Sequence, residues 1–152
     1  SQTSGILDHA LLKNLHNAHA GYGINGMLPS VTGASMVVTI PAGRAQTATA
    51  VTFYAGTTLT PANGDATNPR MDAIIWDDSA GAPAVLAGTP TALSATQTRP
   101  PIAALADAND FLIGAIYIPA GATVILSANV FDRRVIIDTS TEAIFDLDWR
   151  WP

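Results

Sequence analysis

The 152 residues contain no cysteine, and only one lysine (Lys13) and one glutamate (Glu142). Without cysteine there is no disulfide framework, no thiolate metal centre and no cysteine nucleophile. A single lysine and a formal net charge of −5 argue against nucleic-acid binding by phosphate neutralisation. They also argue against a polybasic membrane patch. Charged residues make up 12% of the chain, about half the usual share. So bland a surface suits a protein partly covered by copies of itself or by a partner. No apolar run approaches the roughly 18 residues of a membrane span. The N-terminus has no basic stretch followed by an apolar one, so no signal peptide is expected and synthesis in a cytoplasm is the plain reading.

Catalytic apparatus is equally scarce. There is no Gly-x-Ser-x-Gly elbow to present a serine nucleophile, and no glycine-rich loop follows a strand to cradle phosphate. Asp72 with Asp77 and Asp78, or Asp146 with Asp148, supplies the carboxylate pair that glycoside chemistry requires. Asp77 and Asp78 stand in a turn sequence, however, where aspartate is favoured for binding its own backbone. The loop also lacks the ligand alternation and terminal glutamate of an EF-hand. His9, His16 and His19 fall on one side of a helical stretch, but without the His-x-x-x-His spacing of helical zinc sites. Polar decoration of a docking helix is the expectation for them. The chain is expected to be no enzyme and to hold no cofactor or metal.

What is present is β-rich. Residues 5–20 form the one convincing helix, with Leu7, Leu11, Leu15 and Ala18 on one face and glycines at 21 and 23 to stop it. A helix this short needs something to dock on. Residues 21–34 read as an extended linker, punctuated by glycine and proline. Short β runs follow at 35–40, 46–54, 57–60, 70–76, 83–87, 111–118, 123–127 and 134–138. A run at 102–108 reads as a strand or a single helical turn. Pro41-Ala-Gly43 is expected to turn the chain, as is its echo Pro119-Ala-Gly121. Residues 61–69 form a loop, residues 77–81 a hairpin turn, and residues 88–101 have no period. In the tail, Phe145, Trp149 and Trp151 alternate with Asp146, Asp148 and Arg150, giving one apolar and one charged edge.

The expected architecture is all-β, an antiparallel sandwich or barrel with a short N-terminal helical arm. Its parts are an arm and linker at 1–34, a β-domain at 35–141 and an aromatic tail at 142–152. Leu7, Leu11, Leu15, His16, Trp149 and Trp151 are the candidate interface residues.

Residues 35–138, taken in order, resemble a β module of bacteriophage virion proteins found in tail-fibre, baseplate and head-surface components. The pieces that carry the resemblance begin with Ile40-Pro-Ala-Gly-Arg44 and Arg70-Met-Asp-Ala-Ile-Ile-Trp76. Ala87-Gly-Thr-Pro90, the stretch from Phe111 through Pro119-Ala-Gly-Ala-Thr123, and Val130-Phe-Asp-Arg-Arg134 complete the series. The resemblance implies an oligomeric, usually trimeric, particle component with no catalytic residues. Tail adhesins with this module are commonly longer, so a small module with an anchoring arm points to a capsid decoration (cement) protein on the head surface. Its partners would be its own copies and the major capsid protein or another virion protein, with no nucleic acid and no membrane. The alternative is a tail or baseplate adaptor contacting a host glycan or another tail protein.

Overall fold

The structure, a computed structural model, describes residues 23–47 and 50–136. The predicted helix, Leu7, Leu11, Leu15, His16, the other two histidines and the tail with Trp149 and Trp151 lie outside the described residues.

The described chain is all-β, with two four-stranded antiparallel sheets packed face to face. The strands are β1 (Gly23–Gly26), β2 (Ser30–Val31), β3 (Val38–Gln46), β4 (Val51–Leu59), β5 (Arg70–Asp77), β6 (Ala82–Leu86), β7 (Phe111–Ile118) and β8 (Val130–Asp132). In the first sheet β3 is central, with β4 on one side and β1 and β2 on the other. In the second sheet the order is β6-β5-β7-β8.

The core lies between the sheets. Val38, Ile40 and Ala45 of β3 meet Ile74 and Trp76 of β5 and Phe111, Ile113, Ile116 and Ile118 of β7. Each side chain of this size removed from water contributes about 1.5–3 kcal/mol. Tyr54 of β4 sets its ring edge-on to Trp76, with centroids 5.9 Å apart, a preferred aromatic geometry. A β-bulge keeps β7 in phase with this core. Ile74 pairs with Gly114 and Ile75 with Leu112, so Ile113 is the extra residue and Phe111, Ile113, Ile116 and Ile118 all reach the inter-sheet layer.

β5 and β7 read as nearly unbroken apolar runs because both of their faces are covered. On the outer face, Ala73, Ile75 and Leu112 form a second cluster beneath Ile102, Ala103 and Leu105. Residue 102 pairs with Met71 in a parallel bridge, and Ala103 N–H donates to Met71 O at 3.2 Å. The stretch 102–108 is therefore a covering segment with one bridge, neither a strand nor a helical turn.

Several expectations need correction. The linker assigned to 21–34 contains β1 and β2, which continue one register along β3, so the β-domain begins no later than Gly23. Pro41-Ala-Gly43 does not turn the chain, because β3 runs straight through it. The reversal falls instead at 47–50, inside the strand predicted for 46–54, where Gln46 pairs with Val51 and Thr47 N–H donates to Ala50 O at 2.9 Å. β4 then continues through Gly56, which takes a φ of 105° without ending the ladder. Residues 123–127 form no strand. A single 3-10 turn over Ser127–Asn129 follows, leading into β8. Of the strand predicted for 134–138, residue 136 makes one parallel bridge to Ile24, and the rest of its described part is irregular.

Candidate functional site

The most organised polar feature is a buried hub on β5. Arg70 and Asp72 are two residues apart, so they project from the same face of the strand. Arg70 Nε donates to Asp72 Oδ1 at 2.8 Å and Nη2 to Oδ2 at 3.2 Å, with side chains only 7% and 1% exposed. The rest of the guanidinium fork is filled by loop carbonyls. Nη1 donates to Asn63 O at 2.8 Å and Nη2 to Ala62 O at 2.6 Å. Asp72 Oδ1 also accepts the Gly88 N–H at 2.8 Å. A buried pair survives only when its remaining donors and lone pairs find partners in this way.

The hub therefore fixes two long loops at once. A Cβ at residue 88 would stand 2.1 Å from Met71 O, so only glycine brings its N–H to the carboxylate. The 61–69 loop is held from its far side as well. Gly64 N–H donates to Ala122 O and Gly121 N–H to Asp65 O, both at 2.7 Å. The Asp65 carboxylate accepts the N–H groups of Asn68 and Thr67, which hold it below the usual carboxylate range, the Asn68 bond contributing most.

The turn aspartates weighed for chemistry also have structural partners. Asp77 accepts the Ser79 hydroxyl at 2.6 Å and the Ala80 N–H at 3.0 Å, closing the β5–β6 hairpin. The serine bond is the larger cause of its lowered pKa. Asp78 N–H donates to Asp110 Oδ1 at 3.1 Å, tying this turn to the start of β7. Asp72 and Asp77 thus stand at opposite ends of β5 with separate structural partners and do not converge as an acid/base pair. Asp146 and Asp148 lie outside the described residues. Among the described residues no three His, Cys, Asp or Glu side chains cluster to hold a metal ion, and no helix is long and apolar enough to cross a membrane.

A second ionic clip closes one side of the sandwich. Arg134 grips Asp132 through Nε and Nη2, both at 2.9 Å, and its Nη1 donates to Gly26 O at 2.7 Å. The arginine holds the Asp132 carboxyl below its usual range. Together with Ile24 N–H donating to Val135 O at 2.9 Å, this clip carries the chain from the second sheet across to the β1 edge of the first.

The opposite side of the first sheet is different. On its outer face Asn25, Arg44 and Phe53 stand in register across β1, β3 and β4. They line a shallow depression of about 430 Å³ with Ala42, Gly43 and Tyr54. Phe53 is 78% exposed and Val51 50%. Sequence periodicity did not single out this row, because a strand with a Thr-Phe-Tyr run gives no sign of which aromatic faces inward.

Comparison with known proteins gives no match: no family model, no curated protein and no solved structure aligns with the chain.

Proposed function

We propose that the chain is a structural protein of a bacteriophage particle, a capsid decoration protein that sits on the head surface as a homotrimer and stabilises it. One observation carries the reading: the separate pieces behind the virion-module resemblance interlock in space. The Arg-x-Asp strand reaches Gly88 of the Gly-Thr-Pro segment through Asp72. The loop before it docks on the Pro119-Ala-Gly turn through Gly64 and Asp65. The closing Asp-Arg piece returns to β1 through Arg134. Residues scattered over the sequence thus act as one scaffold, which supports treating them as a module.

The chemistry agrees with a scaffold role. Asp65, Asp72, Asp77 and Asp132 spend their oxygens on backbone N–H groups, a hydroxyl and guanidinium groups. Long loops held this firmly present a fixed surface to a partner. The major capsid protein is the partner proposed, with further copies of this chain.

The test is binding of the purified protein to expanded capsids, followed by heat challenge. Bound protein that raises the temperature at which capsids open supports the reading. Failure to bind, or decorated capsids no more resistant than bare ones, overturns it. Electron microscopy of labelled virions separates head from tail, and label confined to the tail would replace decoration by the adaptor role.

A further inference from the structure

We propose that a cleft on the outer face of the second sheet binds a carboxylate carried on a small apolar body. The inference goes beyond the virion reading and does not depend on it.

The cleft is built by side-chain alternation along β5, β7 and β8. Ile74, Ile116 and Val130 turn to the inter-sheet core, so Met71, Ala115 and Phe131 stand on the outer face. Ala115 pairs with Phe131 across β7 and β8, and its small methyl leaves space open beside the larger ring. Residues 99–102 close the other side, where Ile102 bridges to Met71. The result is a cavity of about 220 Å³ lined by Met71, Arg99, Pro100, Ile102, Ala115, Phe131 and Arg133. Pockets for drug-sized ligands begin at about 300 Å³, so this one suits a single ring or a short chain.

Charge sets the ligand. Of the arginines among the described residues, Arg70 and Arg134 are held by aspartates. Arg99 and Arg133 line this cleft instead, and among the described residues no aspartate or glutamate lines it. Arg133 is positioned by its ring contact, with the guanidinium carbon 5.6 Å from the Phe131 centroid, and by Nη1 donating to Asp132 O at 3.1 Å. The Asp132 carboxylate alternates to the other side of β8, where Arg134 grips it. In a chain of net charge −5, two guanidinium groups thus gather positive charge at one small cavity.

Shape and polarity narrow the class. A guanidinium fork matches a planar carboxylate with two parallel hydrogen bonds. Apart from the two arginines, every lining side chain is apolar. A hydroxyl-rich sugar would lose water there with no side chain to replace it, and inorganic phosphate would leave the apolar floor unused. A carboxylate on a ring or short hydrocarbon uses both parts. A free aromatic or aliphatic acid has that chemistry, and so does the end of a polypeptide whose last residue is apolar.

The experiment is calorimetric titration of the full chain with benzoate, neutral benzamide, inorganic phosphate, and a blocked alanyl-leucine dipeptide as free acid and as amide. The variants are Arg99→Gln, Arg133→Gln, Ala115→Leu, which fills the cleft, and the control Arg44→Gln on the other sheet. Far-UV circular dichroism checks that each is folded, and the two arginine variants carry the test if Ala115→Leu is not. The expected result is an acid bound about tenfold or more tightly than its amide, the worth of a charge-assisted hydrogen bond. Arg99→Gln and Arg133→Gln should each reduce that preference, Ala115→Leu should weaken binding altogether, and Arg44→Gln should leave it unchanged. Binding of benzoate supports the site with a free acid as its ligand, and binding of the dipeptide acid alone supports it with a chain end. Acid and amide bound alike, phosphate bound as well as the acids, or a preference that survives both cleft substitutions overturns the proposal. A preference reduced equally by Arg44→Gln overturns the location. No binding of either acid at about 10 mM, a weak-ligand limit, overturns the site itself.

Discussion

Asp72 Oδ1 accepts from Arg70 Nε and from Gly88 N–H, each at 2.8 Å, so one oxygen joins an ion pair to a loop 16 residues further along the chain. The sandwich depends on that oxygen more than on any surface charge, because it satisfies two buried donors at once. Exposed pairs contribute little by comparison.

Asp72→Asn leaves the Arg70 guanidinium buried without its counter-charge. The expected loss is about 3–5 kcal/mol, read by urea unfolding. The double substitution Arg70→Met with Asp72→Leu should lose less than Asp72→Asn alone, because it removes both charges together. An Asp72→Asn protein as stable as wild type would show that the hub is dispensable.

Two glycine substitutions should differ sharply. Gly88→Ala drives a methyl into Met71 O and costs about 3 kcal/mol, the upper end of overpacking. At Gly81 a Cβ meets nothing, and only its φ of 65° opposes alanine, which costs about 1–2 kcal/mol. Thermal unfolding of the pair ranks them, and the reverse order would contradict the packing at residue 88.

Acid should weaken the fold through Asp132, Asp65 and Asp77, all held below the ordinary carboxylate value in the native state. Their contribution is complete above the unfolded-state value. It shrinks as pH falls through that value and is lost below the lowered native one. Asp132→Asn should therefore be less stable than wild type at pH 7, with the gap narrowing once pH falls below about 4, the unfolded carboxylate value. A gap that does not change with pH would show that the clip's contribution is not ionic.

The two faces of β5 should respond unequally. Ile74 lies in the inter-sheet core, and Ile74→Ala is expected to cost about 2–5 kcal/mol. Ile102 is a half-buried residue of the covering segment, so Ile102→Ala should cost about 1–2 kcal/mol. It should also speed hydrogen exchange at Ala103 N–H, which donates to Met71 O. Unchanged exchange at Ala103 would mean that the segment is held by other contacts.

The sequence made the strongest strands legible. β7 falls at the predicted 111–118, β5 extends its predicted 70–76 by one residue, and the Asp-Asp-Ser-Ala-Gly hairpin lies where turn chemistry put it. The Ile-Pro-Ala-Gly echo marks the limit of such reading. At 118–121 it ends a strand, with Gly121 at a φ of 69° and Ala122 N–H donating to Pro119 O. At 40–43 the same four residues stay in the ladder, because Gly43 lies against Asn25 O and Met27 and faces Gly26. The partner strand decides the outcome, and local chemistry allows either. The hub was half legible: Asp72 stood out as a carboxylate, but its partners at 62, 63 and 88 are set by the fold. The Phe53 row was not legible, since exposure depends on which sheet is covered.

The parallel bridge between Ile24 and Ile136 has a mechanical consequence. The chain at Ile24 and the chain at Ile136 run in the same direction, so tension applied between Gly23 and Ile136 pulls the two stretches past each other. The bonds from Ile24 to Val135 and from Arg134 to Gly26 then bear the load together instead of parting one after another. Force applied through the ends of the described chain, Gly23 and Ile136, meets the sandwich in shear, along the side that the arginine clip already holds shut.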